Sequence, residues 1–252
     1  MTLYDTKLKI LLIAGVVGAA LIAAPASATT NIFLNTAGIY NPATVHIANP
    51  AGDEYVYDGP VVFQANYGLG SGPPTFNFLG FCVDVYHNIS VGINGQSALG
   101  LQYQTKPFDR DGNGGVLGVT TIAKIANLVT IGTNIWKASA RPSFALNAND
   151  AFELAAIQGA IWQVETGYNV YGGSLAGLDS RTDYYAGLMP SGHNSIQVIY
   201  NYDPTKTAAL TSGGRQAFAF AVPEPATWLM MIMGFGSVGA VLRRRRQSVV
   251  FA

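Results

Sequence analysis

The sequence predicts an α+β fold: a mostly antiparallel β-structure, sandwich or barrel-like, with a helical pair inserted mid-chain. Three observations carry that expectation. Short stretches of alternating apolar and polar residues, broken by Gly, Pro, Asn and Ser, fill the early and late parts of the chain. Two longer stretches with helical spacing lie between them. The composition, with 29 glycines, 13 tyrosines and 11% charged residues in a chain of 252, suits a β-rich exported surface protein.

The first 28 residues have the layout of an export signal. Lys7 and Lys9 supply a short positive region, residues 10–24 an apolar run, and Ala26, Ser27 and Ala28 the small residues expected before a cleavage point. The apolar run is shorter than the ~20 residues a spanning helix needs, so cleavage after Ala28 is expected in place of a retained anchor. Residues 29–222 then make one extracellular domain of 194 residues, long enough for a sizeable core. This span holds eight Lys and Arg against twelve Asp and Glu, a net charge of −4 hidden by the zero of the whole chain. Nucleic acid, which calls for a basic patch, is therefore not an expected partner.

The early part of that domain alternates as strands should. "YVYDGPVVFQANYG" straddles a Gly-Pro break, and "GLGSGPPT" follows as a loop. In "NFLGFCVDVYH", Leu79, Phe81, Val83 and Val85 fall on one face and Cys82, Asp84 and Tyr86 on the other. The single cysteine of the chain is thus expected on the less apolar face, where a purely structural thiol would not be put. In "FDRDGNGGVLG", Asp109, Asp111, Asn113 and Gly114 match the start of a calcium loop. Thr120 stands where that loop wants a bidentate glutamate, and a Gly/Asp/Asn-rich turn explains the stretch more simply. No metal is expected.

The helical pair comes next. Thr120 or Thr121 is positioned to cap "TIAKIANLVTIGTNIW". In "NDAFELAAIQGAIWQVETGY", Asp150 and Glu153 have capping-box spacing and Gly167 is the expected stop. Leu154, Ile157, Ile161 and Val164 form an apolar stripe, with Gln158 inside it. A buried glutamine must pair its two N–H donors and its carbonyl oxygen. From spacing alone, a bond to loop backbone is the simpler expectation. "SIQVIYNY" and "RQAFAFAV" then return to strand-like alternation.

The far end has a stop-transfer design. Pro223, Glu224 and Pro225 precede an apolar stretch over 226–242, expected to form a short transmembrane helix, and Arg243, Arg244, Arg245 and Arg246 follow it. Together with Trp228 and Gly234, Phe235 and Gly236, residues 223–252 resemble the PEP-CTERM sorting signal of Gram-negative bacteria. The resemblance implies an exosortase as processing partner, membrane attachment before processing, and a place in the envelope, outer surface or extracellular matrix. It also implies an association with exopolysaccharide and biofilm.

"FCVD" around Cys82 and "IQGAIW" from residue 157 to 162 resemble the two signatures of the Cys–Gln internal-thioester domains, of TQXA type, in bacterial surface adhesins. The resemblance implies a crosslink between the Cys82 sulfur and the Gln158 side-chain carbonyl carbon, formed with loss of ammonia. Such a bond reacts once with an amine or hydroxyl on a surface polymer or protein, so the chain is expected to be no turnover enzyme and to need no cofactor. Trp162, one turn beyond Gln158, is placed to shield the bond from water. A cysteine hydrolase would need a base from His46, His87 or His193, none in a recognisable signature. The main alternative is a passive exopolysaccharide-associated matrix or carbohydrate-binding protein without a thioester.

Overall fold

A computed structural model describes residues 31–49, 52–67, 72–85, 89, 91–111, 115–139, 146–190, 196–201 and 216–221. The expected signal peptide and sorting tail lie outside the described residues. The elements run β1 (Asn31–Ile39), β2 (Ala43–Asn49), β3 (Gly52–Asp58), β4 (Val61–Tyr67), β5 (Phe76–Cys82), β6 (Gly92–Ile93), β7 (Ser97–Pro107), α1 (Val119–Ser139), α2 (Ala148–Thr166), β8 (Val170–Tyr171), α3 (Leu178–Ala186), β9 (Ile196–Asn201) and β10 (Phe218–Ala221). The α+β expectation holds.

Six strands close on themselves in the order β4, β5, β10, β9, β7, β1, with β1 pairing back to β4, all antiparallel. Closure removes the open edges of a sheet. The short β6 adds in parallel to the end of β1. A second sheet, in the order β3, β2, β8, stands beside this barrel. The Gly59–Pro60 break in "YVYDGPVVF" is where the chain leaves the small sheet and enters the barrel.

Phe81 sits on the outer face of β5 against α1. A Cβ added at Gly132 would lie 2.3 Å from the Phe81 ring, so glycine alone lets the helix come this close. Residues of the opposite parity turn into the barrel, where Phe63 packs on Phe78 and Phe218 with ring centroids 5.0 and 4.9 Å apart. Cys82 shares parity with Phe78, so its face is as apolar as the other. This corrects the expectation from alternation. The strand is buried on both sides, and period-2 alternation carries no inside-outside information there. Pairing also ends at Cys82, with Val83, Asp84 and Val85 leaving as irregular chain, while Tyr86 and His87 lie outside the described residues.

The helices differ from expectation at their ends. α1 begins at Val119, which puts Thr120 and Thr121 inside its first turn. The cap of α2 is Asn147, whose side chain accepts from the Asp150 N–H at 2.9 Å, while the Asp150 carboxylate accepts from Asn147 Nδ2 at 2.6 Å. Asp150 is therefore the inner member of the cap, not the cap itself. Glu153 accepts instead from Arg181 Nε at 2.8 Å and from Tyr185 Oη at 2.5 Å, which ties α2 to α3. Gly167 ends α2 as expected, in the left-handed region with φ 73°. The apolar stripe of α2 proves to be its whole circumference over 154–162, because α1, α3 and both sheets pack around it. Neither α3 nor β8 was legible from periodicity.

The acidic turn is a hairpin. Arg110 bridges to Val116, and the Asp111 carboxylate accepts from the Gly115 N–H at 2.6 Å. Asn113 and Gly114 lie outside the described residues. Among the described residues, no group of His, Cys, Asp and Glu could hold a metal ion.

Candidate functional site

The end of β5 meets the middle of α2. β4 pairs last at Val61 with Gly80, two residues short of Cys82. On its other side Cys82 faces Phe218 of β10, and the next ladder bond runs from the Val83 N–H to the Ala217 carbonyl. The main-chain groups of Cys82 are thus left where β4 has already turned away. Gln158 takes that place. The Cys82 N–H donates to Gln158 Oε1 at 2.8 Å, and Gln158 Nε2 donates to the Cys82 carbonyl at 2.9 Å. One carboxamide continues the ladder as a strand residue would. Gln158 is fully buried and Cys82 nearly so.

The two residues named by the sequence are therefore adjacent, across 76 positions of chain. The Cys82 Sγ–H donates to the Asp84 carbonyl at 3.2 Å, so the irregular turn after the strand orients the sulfur. Asp84 is itself fully buried, and its carbonyl also accepts from Gln216 Nε2 at 3.4 Å. Asp84 is the last letter of "FCVD", and the sequence reading gave it no role. Burial pushes the Cys82 thiol well above its ordinary pKa, and the nearby Asp84 charge adds to the rise. The Asp84 carbonyl bond and the Trp162 indole N–H work the other way. At neutral pH the group is a thiol, not a thiolate.

Trp162 is buried one turn beyond Gln158, and its indole N–H has no conventional acceptor among the described residues. It lines a cavity of about 380 Å³ together with Cys82, Ile47, Val56, Val61 and Phe218. The last residues of β1 and β5 and the first of β4 and β10 all reach this cavity, which is therefore one mouth of the barrel. The β2–β3 hairpin roofs it. Barrel mouths are common places for sites. His46 stacks on Tyr171 with centroids 5.5 Å apart, and His87 and His193 lie outside the described residues.

Among the described residues no helix is long and apolar enough to cross a membrane, and the apolar stretch 226–242 falls outside them. No curated protein and no solved structure matches the chain. One family model does match. Residues 221–246 are the PEP-CTERM protein-sorting motif. The PEP-CTERM motif covers Pro223, Glu224, Pro225 and the four arginines Arg243, Arg244, Arg245 and Arg246. It marks the chain as an exported protein sorted to the envelope or surface by an exosortase. Its short length says nothing about what the domain ahead of it does.

Proposed function

We propose that this PEP-CTERM protein is a surface or biofilm-matrix adhesin of a Gram-negative bacterium, armed with an internal thioester between Cys82 and Gln158. The single observation that carries the reading is the double hydrogen bond between the Gln158 carboxamide and the Cys82 main chain. It holds the carbonyl carbon beside the one residue whose sulfur can attack it.

Formation needs no outside reagent. The Cys82 sulfur attacks the Gln158 side-chain carbonyl carbon, the S–H proton passes to the departing nitrogen, the C–N bond breaks, and ammonia leaves. Later an amine or hydroxyl on a surface polymer or protein attacks the same carbon. A new amide or ester forms, and the Cys82 thiol is released. The step consumes the bond, so each molecule acts once. Until then the crosslink closes a loop of 76 residues, worth about 4–5 kcal/mol by loop entropy before strain.

The same two hydrogen bonds also favour a second reading, in which Gln158 only pins the strand end and the protein is a passive exopolysaccharide-associated matrix component. Intact mass separates the two. The adhesin is lighter than its processed sequence by one ammonia, takes up methylamine at Gln158 and then exposes one thiol, and Cys82→Ala abolishes both effects. Burial alone protects Cys82 in the folded state, so alkylation is scored after denaturation. Full sequence mass with an alkylatable thiol in denaturant would overturn the adhesin.

A further inference from the structure

Next to the barrel mouth lies a larger open groove of about 790 Å³, between the β2–β3 hairpin, the β6 turn and the start of α2. Its lining is chemically unusual for this acidic domain. Three asparagines, Asn41, Asn94 and Asn149, come to it from three separate segments, with the rings of Tyr57 and Phe152 beside them. Among the described residues, no charged side chain lines it. We propose that this groove binds an uncharged polysaccharide chain.

Carboxamides offer both a donor and an acceptor, which is what a neutral hydroxyl needs. The Asn94 Oδ1 accepts from the Asn41 N–H at 2.6 Å, and Asn41 Nδ2 donates to the Leu146 carbonyl at 3.0 Å. These bonds fix two of the amides and leave the Asn94 NH2 and the Asn41 Oδ1 to a ligand. Asn41 and Asn94 are also, among the described residues, the non-glycine residues with positive φ, at 46° and 53°, so the backbone is bent at both points where it presents an amide to the groove. Tyr57 leaves 57% of its surface exposed, a large ring face available for stacking on the apolar face of a sugar.

A phosphate, nucleotide or acidic peptide would find no cation here, and a lysine no carboxylate. The aromatic surface continues past the groove. Tyr55 shares the outer face of β3 with Tyr57, is 65% exposed, and lies edge-on to His46 at 5.2 Å. A chain of several sugar units fits that length better than a monosaccharide. Tyr57 and Ile93 line both the groove and the Cys82 cavity, so a bound chain lies beside the proposed thioester. Recognition itself does not depend on the thioester.

Affinity electrophoresis of the full chain through gels containing dextran, mannan or mixed-linkage β-glucan tests this, with anionic alginate as the charged control. At least one neutral polymer retards the protein and alginate does not. Tyr57→Ala weakens that retardation roughly tenfold. Asn94→Asp, which keeps the acceptor for Asn41 but loses the NH2 donor, weakens it several-fold. All of these comparisons are made in a Cys82→Ala background, where no covalent capture can occur, so retardation there reads the groove alone and is separate from loss of the thioester. Free passage through all three neutral polymers, equal retardation by alginate, or an unaffected Tyr57→Ala would each overturn the proposal.

Discussion

The carboxamide of Gln158 occupies the ladder position beside Cys82 that β4 vacates, accepting from its N–H at 2.8 Å and donating to its carbonyl at 2.9 Å. The pair thus has a structural duty in the uncrosslinked chain, and thioester formation, which expels Nε2 as ammonia, gives up the bond to the Cys82 carbonyl. Without Gln158, an N–H and a C=O would be buried unpaired at the end of β5, each costing roughly 1–3 kcal/mol.

That duty separates two variants. Gln158→Ala and Cys82→Ala both forbid the crosslink, but only Gln158→Ala strands the two main-chain groups. Urea unfolding is expected to find Gln158→Ala less stable than Cys82→Ala by about 2 kcal/mol or more. Equal midpoints would mean that water or another group satisfies the strand end.

Trp162 divides packing from shielding. Trp162→Ala is expected to cost about 3–5 kcal/mol and to open the barrel mouth to water. The thioester then hydrolyses to a glutamate side chain at position 158 and a free Cys82 thiol. Trp162→Phe keeps most of the packing and retains the bond for longer. Intact mass followed over time reads this directly, and a crosslink that survives for days in Trp162→Ala removes the shielding role.

Asp58 sets a pH dependence. Its carboxyl is fully buried at the end of β3, neither oxygen has a hydrogen-bond partner among the described residues, and burial raises its pKa well above the ordinary range. The folded state therefore keeps a proton that the unfolded chain releases at about pH 4. Stability contributed by this group is full below that point and falls as pH rises towards the folded-state pKa. Thermal melting from pH 4 to 8 is expected to show that fall, with a shallower one in Asp58→Asn. Identical slopes would assign the dependence to other groups.

The sorting tail makes a separate prediction. The surface form is expected to lack Arg243, Arg244, Arg245 and Arg246, because the exosortase removes them with the stretch before them. Mass spectrometry of the exported protein that finds an intact C-terminus would leave a plain membrane anchor.

Local signals were readable wherever contiguous residues carry them. The tail motif, the Gly167 stop and the main strands and helices follow from period, punctuation and charge along the chain. The pair of Cys82 and Gln158 was legible as two short motifs, because their residue types stand out: one cysteine, and a glutamine inside the apolar stripe of a helix. The α3 helix was not legible. Its nine residues, "LDSRTDYYA", are short and polar, and a helix of that length is held by its neighbours. Here the neighbour is Glu153, holding Arg181 and Tyr185.

What remained for the tertiary structure were the relations between distant segments. Alternation around Cys82 misjudged its face, since closing the barrel buries both sides of β5. The cap of α2 is Asn147, three residues ahead of Asp150, and Glu153 is held by α3 in place of closing a capping box. The amide-lined groove was invisible, because Asn41, Asn94 and Asn149 share no periodicity and meet only when β6 joins the end of β1 and α2 packs alongside. Sequence periodicity reports the direction of a side chain relative to its own element. Only chain closure decides what stands opposite it, and at Cys82 that is a carboxamide 76 residues away.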